Sequence, residues 1–404
     1  MSSETMDPEG AAVLSRVPRG RFGWAVLSLA VGGFAIGTSE FVSMGLLPQI
    51  AGGVHTSIPT AGHAISAYAL GVVVGAPVLA YVGARLPRRG LLVALMVAFV
   101  AGNTATALVG SYGWLLAARF LSGLPHGAFF GVASLVAASL AAPGRKGRAV
   151  ALVMLGLSVA NVVGVPAATW LGQHAGWRSA YVLVAALGLT TILLVRGFIP
   201  ASPGDPHASG RRELALFREP QVWLTLLIGA IGFGGMFALF TYISPSVTHV
   251  GDLAESAVPV FLLVLGLGMV AGTWLAGELA DWSVMRALAI GAGGTAAALF
   301  GFFLVAPSGW WALPVAFAVT TLASVLVVTL QLRLMHVAGD AQTLGAALNH
   351  ASLNIANALG AWLGGVVVTA TDSFRSPPLV GVGLSLVGLL VVAASARLHL
   401  VRTR

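Results

Sequence analysis

Apolar residues along the chain gather into twelve long runs separated by short polar loops. The first six are Trp24 to Leu47, Thr60 to Gly83, Leu91 to Gly110, Gly113 to Ala138, Ala149 to Gly172 and Ser179 to Phe198. The second six are Gln221 to Pro245, Ala257 to Ala280, Met285 to Ala306, Trp311 to Gln331, Thr343 to Thr369 and Pro378 to Ala396. At a rise of about 1.5 Å per residue, each run is long enough as an α-helix to cross a hydrocarbon core of roughly 30 Å. The pattern therefore predicts an all-α membrane protein with twelve transmembrane helices in two six-helix halves.

Charge orients this ladder. All but three of the 21 Lys and Arg residues fall on one membrane side, the exceptions being Arg119, Arg178 and Arg375. Arg16, Arg19 and Arg21 precede the first run; Arg85, Arg88 and Arg89 follow the second; Arg145, Lys146 and Arg148 follow the fourth; Arg211, Arg212 and Arg218 follow the sixth. Basic residues are retained on the cytoplasmic side, so both termini and the central break are expected there. Residues 1–21 read as a polar, disordered tail, 22–198 and 221–398 as the two helical halves, 199–220 as a cytoplasmic loop and 399–404 as a second tail. The first apolar run exceeds a usual signal-peptide core and lacks an Ala-x-Ala site, so it reads as an uncleaved helix.

Composition narrows the function. A chain that is 57% hydrophobic and 8% charged has too little polar surface to stay dispersed in water. Its basic residues sit in short loops at helix ends rather than in one patch with interleaved aromatics, which argues against nucleic acid despite a pI near 10.9. With no cysteine there is no disulfide and no thiolate metal site. No phosphate-binding glycine loop, nucleophile elbow or metal-spaced histidine set is present, so neither ATP-driven transport nor an enzyme is expected, and no cofactor or metal. A channel or a receptor that moves nothing remains as a rival to a transporter.

The Pro- and charge-rich stretch Pro200 to Pro220 divides the chain, and the two parts echo each other. Gly71, Gly75 and Arg89 recur about 197 positions later as Gly268, Gly272 and Arg286. Ala160, Asn161 and Gly164 reappear at nearly the same offset as Ala356, Asn357 and Gly360. Small residues abound in membrane helices, but two echoes with one offset point to duplication.

From about Phe22 to Leu400 the chain resembles the major facilitator superfamily. The loop Gly83-Ala84-Arg85-Leu86-Pro87-Arg88-Arg89 is similar to its cytoplasmic signature, with Ala84 where an Asp is usual and Pro87 where a Gly is usual. The repeat copy Gly277-Glu278-Leu279-Ala280-Asp281 keeps the acid. Arg119 matches the fourth-helix Arg motif, and the segment holding Gly156, Asn161, Gly164 and Pro166 resembles the antiporter motif of exporters. Gly37 to Phe41 (GTSEF) and Leu124 to Gly131 (LPHGAFFG) most resemble the drug and sugar efflux branch. The resemblance implies a bacterial cell-membrane exporter of small molecules, drug-like or antibiotic compounds first and sugars second, working by alternating access in exchange for protons. A monomer among membrane lipids is expected.

Glu40 is the one acid well inside an apolar run, and Arg119 the one base. A lone carboxylate in hydrocarbon costs about 2.5 to 3.5 kcal/mol or more unless paired, protonated or wet. Glu40 stands roughly seven residues, or about 10 Å, from the outer end of its helix, and Arg119 falls at nearly the same depth on a helix running the other way. The expectation is an ion pair that either couples protons to transport or merely locks two helices. His350, Asn354 and Asn357 share a helix face at i, i+4 and i+7 and, with Asn349, read as cavity lining; His126 lies seven residues after Arg119 on one face. Phe237, Phe240 and Tyr242 offer an apolar wall, although packing explains them equally well. Arg85, Arg88 and Arg89, with Asp281 and Arg286 in the repeat, are the candidates for a cytoplasmic gate. Gly156, Gly164 and Pro166 allow close packing and a bend.

Overall fold

The structure is a computed structural model that describes residues 19–83, 86–142, 145–201, 219–338 and 342–402. Arg85, Arg16, Arg211, Arg212 and Arg218, with most of the expected tails and central loop, lie outside the described residues.

Six helices form the first half: α1 (Arg19–Gly45), α2 (Ile58–Gly83), α3 (Arg88–Leu108), α4 (Tyr112–Leu140), α5 and α6 (Trp177–Phe198). Helix α5 runs from Lys146–Val159 through one widened π turn, Ala160–Gly164, into Val165–Ala175. In the second half α7 consists of Pro220–Leu227, a π turn at Ile228–Gly232 and Gly234–Thr241. The long run Val258–Val305 is interrupted at Ser283, whose extended backbone separates α8 (258–282) from α9 (284–305). The Ser283 hydroxyl accepts the Arg286 N–H at 3.4 Å and so caps the start of α9. α10 (Leu313–Ala338), α11 (Gln342–Thr371) and α12 (Pro377–Arg402) complete the bundle. Among the described residues ten stretches are long and apolar enough to cross a bilayer, and the one from Glu255 to Val337 holds three helices, which gives the twelve expected crossings. α1 stops at Gly45 rather than Leu47, because a turn at Leu46 starts a separate short helix, Leu47–Gly53, with a proline in its first turn.

The same crossings are built twice. Gly71 and Gly75 let α2 press onto the backbone carbonyls of Phe120 and Leu124 in α4, and Gly268 and Gly272 let α8 press onto those of Phe317 and Thr321 in α10. A Cβ at any of these four glycines would collide with the facing oxygen. Both partners in each crossing are displaced by the same repeat offset. The second echo behaves alike: Gly164 seats α5 on Phe34 and Thr38 of α1, and Gly360 seats α11 on Gly234 and Ala238 of α7. Membrane helices lack a hydrophobic drive toward each other, so close backbone packing of this kind is what holds them.

With an even number of crossings the start of α1 and the end of α12 lie at one end of the bundle, here called the termini end. The halves meet chiefly away from it. Glu255, just before α8, accepts a hydrogen bond at Oε2 from Gln49 (2.9 Å) and at its backbone carbonyl from Gln173 (2.8 Å), both side chains coming from the first half. Ser66 of α2 donates to the Ala358 carbonyl of α11 at 3.0 Å, and Gly266 of α8 lies against the Asn161 carbonyl in the π turn of α5.

Candidate functional site

Glu40 projects from the last third of α1 into this interface and is only 5% exposed. Its Oε1 accepts a hydrogen bond at 3.4 Å from Asn357 Nδ2 of α11, across the two halves. Its Oε2 lies 4.0 Å from His126 Nδ1 of α4. The same His126 nitrogen is 3.1 Å from the Tyr68 hydroxyl of α2. Glu40, His126 and Asn357, three groups picked out in the sequence, are thus brought to one point.

The expected Glu40–Arg119 ion pair is not formed. Arg119, fully buried, donates instead to the Ser39 hydroxyl (3.3 Å) and the Ser39 carbonyl (3.1 Å). The reason is helical geometry: consecutive residues stand about 100° apart around the axis, so an arginine engaged on the Ser39 face leaves Glu40 aimed elsewhere. The guanidinium also lies over the Tyr68 ring, 4.4 Å from its centroid, and near that of Tyr181 at 5.4 Å. Aromatic faces stabilise a desolvated cation. Ser39 in turn donates to Asn103 Oδ1 at 2.6 Å, and Ser43 bonds the Tyr181 hydroxyl at 2.7 Å. Arg119 is therefore the hub of a polar network inside the first half, sharing Tyr68 with the Glu40 site.

Aromatic contacts flank the carboxylate on both sides. Beyond it, Phe41 of α1 packs on Phe237 and Phe240 of α7, with ring centroids 6.3 and 5.3 Å apart. Tyr242 is buried there too, its hydroxyl donating to the Ala361 carbonyl. Toward the termini end, Phe130 of α4 stacks parallel on His350 of α11 at 5.9 Å. Asn354 and Asn349 are buried but do not reach Glu40: Asn354 donates to the His350 carbonyl, and Asn349 to Gln331 Oε1 of α10. In the antiporter-like segment, Asn161 donates to the Leu157 carbonyl, Gly156 sits against the Ala30 carbonyl, and Pro166 opens the helix after the π turn.

Among the described residues, with Arg85 outside them, no contact joins the gate candidates of the two halves. Arg89 donates to the Ile199 carbonyl, at 3.5 Å and within the first half. Asp281 is exposed and makes no ion pair with Arg286, whose guanidinium lies over Trp282. Sequence reasoning missed Tyr68, Ser39, Asn103 and Tyr181. For Tyr68 the sequence offered only the small residues Gly123 and Gly127 of α4, and the structure seats Gly123 directly under the Tyr68 carbonyl, one turn before His126.

Comparison with known proteins agrees with this architecture. The profile of the Major Facilitator Superfamily matches residues 29–344. The Inner membrane transport protein YdhP of Escherichia coli (strain K12) is 40% identical over 388 residues, covering 93% of this chain and 97% of its own. The Putative transporter AraJ of the same strain is 35% identical over 85% of the chain and 88% of its own, and a Chloramphenicol resistance protein of Streptomyces lividans 33% identical over 90% and 94%. Among solved structures, a D-xylose-proton symporter superposes with a TM-score of 0.73 at 16% identity, covering 91% of this chain and 96% of that one, a likeness of fold alone.

Proposed function

The chain belongs to the Major Facilitator Superfamily, and on that premise we propose that it exports drug-like or antibiotic small molecules in exchange for protons, with Glu40 as the coupling group. As a member it is a multi-pass membrane transporter and not an enzyme. The observation that carries the rest is that one buried carboxylate touches both halves, through His126 on one side and Asn357 on the other.

Hydrogen bonds to an ionised acceptor are roughly twice as strong as neutral ones, so a proton on Glu40 weakens its link to Asn357 and loosens the halves where they meet. His126 is placed to share that proton. With Nδ1 bare it accepts from Tyr68; with Nδ1 protonated the same atom faces Glu40 Oε2. One proton crossing carries about 2.3 kcal/mol per 100 mV, enough to drive useful accumulation. The protein works as a monomer whose halves, 22–198 and 221–398, rock about this point, with both termini cytoplasmic. Glu255 then closes the external end through Gln49 and Gln173.

Drug-like cargo is favoured by the Phe41, Phe237 and Phe240 wall and by likeness to the Streptomyces lividans protein. A sugar or related polyol is the second reading, and buried amides favour it. The Oδ1 atoms of Asn161, Asn354 and Asn357 have no partner, while their N–H groups are held by oxygen acceptors that fix the orientation. Such free acceptors suit hydroxyl donors. The test is expression in a host lacking its main exporters, challenged with antibiotics and labelled sugars. Lower accumulation of some compounds, restored by a protonophore, is expected; no change for any compound overturns the reading.

A further inference from the structure

The outer face of the first half carries a basic cavity that lies apart from the Glu40 interface. It lies between α3 and α6 at the termini end, holds about 350 Å³, and is lined by Arg89, Gly90, Val93 and Arg196. Arg196 is exposed in the last turn of α6, and Arg89 stands in the first turn of α3. That turn has no side-chain cap, and among the described residues no acceptor is recorded for the N–H groups of Arg88, Arg89 and Gly90, which precede the first intrahelical bond at Leu91 and can meet an anion. Nothing crowds Gly90, so its backbone is open to close approach.

Below the arginines the surface turns apolar in register. Val93 and Val97 follow Arg89 at i+4 and i+8 on one face of α3, and Leu193 and Leu189 precede Arg196 by three and seven residues on one face of α6. Val97 and Leu189 are 52% exposed and Leu193 is 71% exposed. The two helices are in close contact deeper in the bundle, where Gly188 meets Val100 and Phe99, so these exposed side chains stand along the α3–α6 junction below the cavity. Trp24, stacked on Phe198 at 5.3 Å, marks the same end as the interfacial level where Trp is enriched.

We propose that this cavity and the adjoining α3–α6 junction bind an anionic glycerophospholipid, its phosphate held by Arg89, Arg196 and the start of α3, and an acyl chain lying along Val93, Val97, Leu189 and Leu193. Charge complementarity selects an anion, and the apolar track selects one with a chain attached. The site lies outside the Glu40 interface and does not depend on the cargo or on proton coupling.

Native mass spectrometry of the detergent-purified full chain tests it, with phosphatidylglycerol, phosphatidylcholine of matched chains, and inorganic phosphate as probes. The wild type should hold phosphatidylglycerol roughly thirtyfold more tightly than phosphatidylcholine, and Arg196→Gln should lose roughly fivefold of that preference. Arg196 makes no described contact that folding requires, so this variant remains informative if the Arg89→Gln, Arg196→Gln pair does not fold. Leu193→Asn should weaken phosphatidylglycerol binding while leaving inorganic phosphate unaffected. Equal binding of the two lipids, an unchanged preference in Arg196→Gln, or inorganic phosphate binding as tightly as phosphatidylglycerol would each overturn the proposal.

Discussion

Arg119 brings a permanent charge into the interior of the first half without a carboxylate against it, and its stability rests on geometry. Two guanidinium nitrogens engage the hydroxyl and carbonyl of one residue, Ser39, while the flat cation covers Tyr68. Lysine keeps the charge but lacks the planar fork. Arg119→Lys should therefore cost about 1–3 kcal/mol, seen as a lower thermal midpoint of the detergent-purified protein, with Glu40 still able to titrate. An undiminished midpoint would mean that the network carries no stability. Glu40, Arg119, His126 and Asn357 were legible in the sequence because polar groups within apolar runs are costly and announce themselves. Which of them touch was not: Arg119 uses a backbone carbonyl, which every residue possesses, and Asn357 was placed on a lining face with nothing in the spacing to join it to Glu40.

Helix crossings carry the duplication into three dimensions, and they make a paired prediction. Gly75→Val should force α2 off the Leu124 carbonyl, and Gly272→Val should force α8 off that of Thr321, each costing about 1–3 kcal/mol or more through overpacking. Gly383→Val, where nothing lies within 4 Å, is the control. Size-exclusion profiles after solubilisation should show both crossing variants aggregated or depleted and the control monodisperse; a normal profile for either crossing variant contradicts the packing account. The twelve runs and the glycine echoes were readable because hydrocarbon thickness and backbone contact constrain length and residue size. The π turns at Ala160–Gly164 and Ile228–Gly232 were not, since one extra residue in a turn leaves the apolar pattern unbroken. The separate helix at Leu47–Gly53 likewise continues the apolar run of α1 and only Pro48 hints at it.

In the proposed transport cycle the halves of the molecule are closed at one end and joined by a proton-sensitive contact at the centre. The closing clasp is Glu255 with Gln49 and Gln173, and Glu255→Ala removes the side-chain half of it. An exposed hydrogen bond of this kind is worth about 0.5–1.5 kcal/mol, so the open population should rise several-fold. Spin labels at Ser57→Cys and Asp252→Cys, one per half in a cysteine-free chain, should then report longer separations; an unaltered distribution would remove the clasp from the mechanism. The same two cysteines test orientation, since an impermeant thiol reagent should reach them in intact cells but not a cysteine at Ser209; the reverse result would invert the topology. Coupling itself is decided by substrate-driven proton movement in proteoliposomes, measured side by side for the wild type and Glu40→Gln. Proton movement stoichiometric with substrate is expected in the wild type, and in Glu40→Gln continued substrate exchange with no proton movement and no accumulation against a gradient. Wild-type coupling in Glu40→Gln would contradict this and move the proton site to His126 or His350.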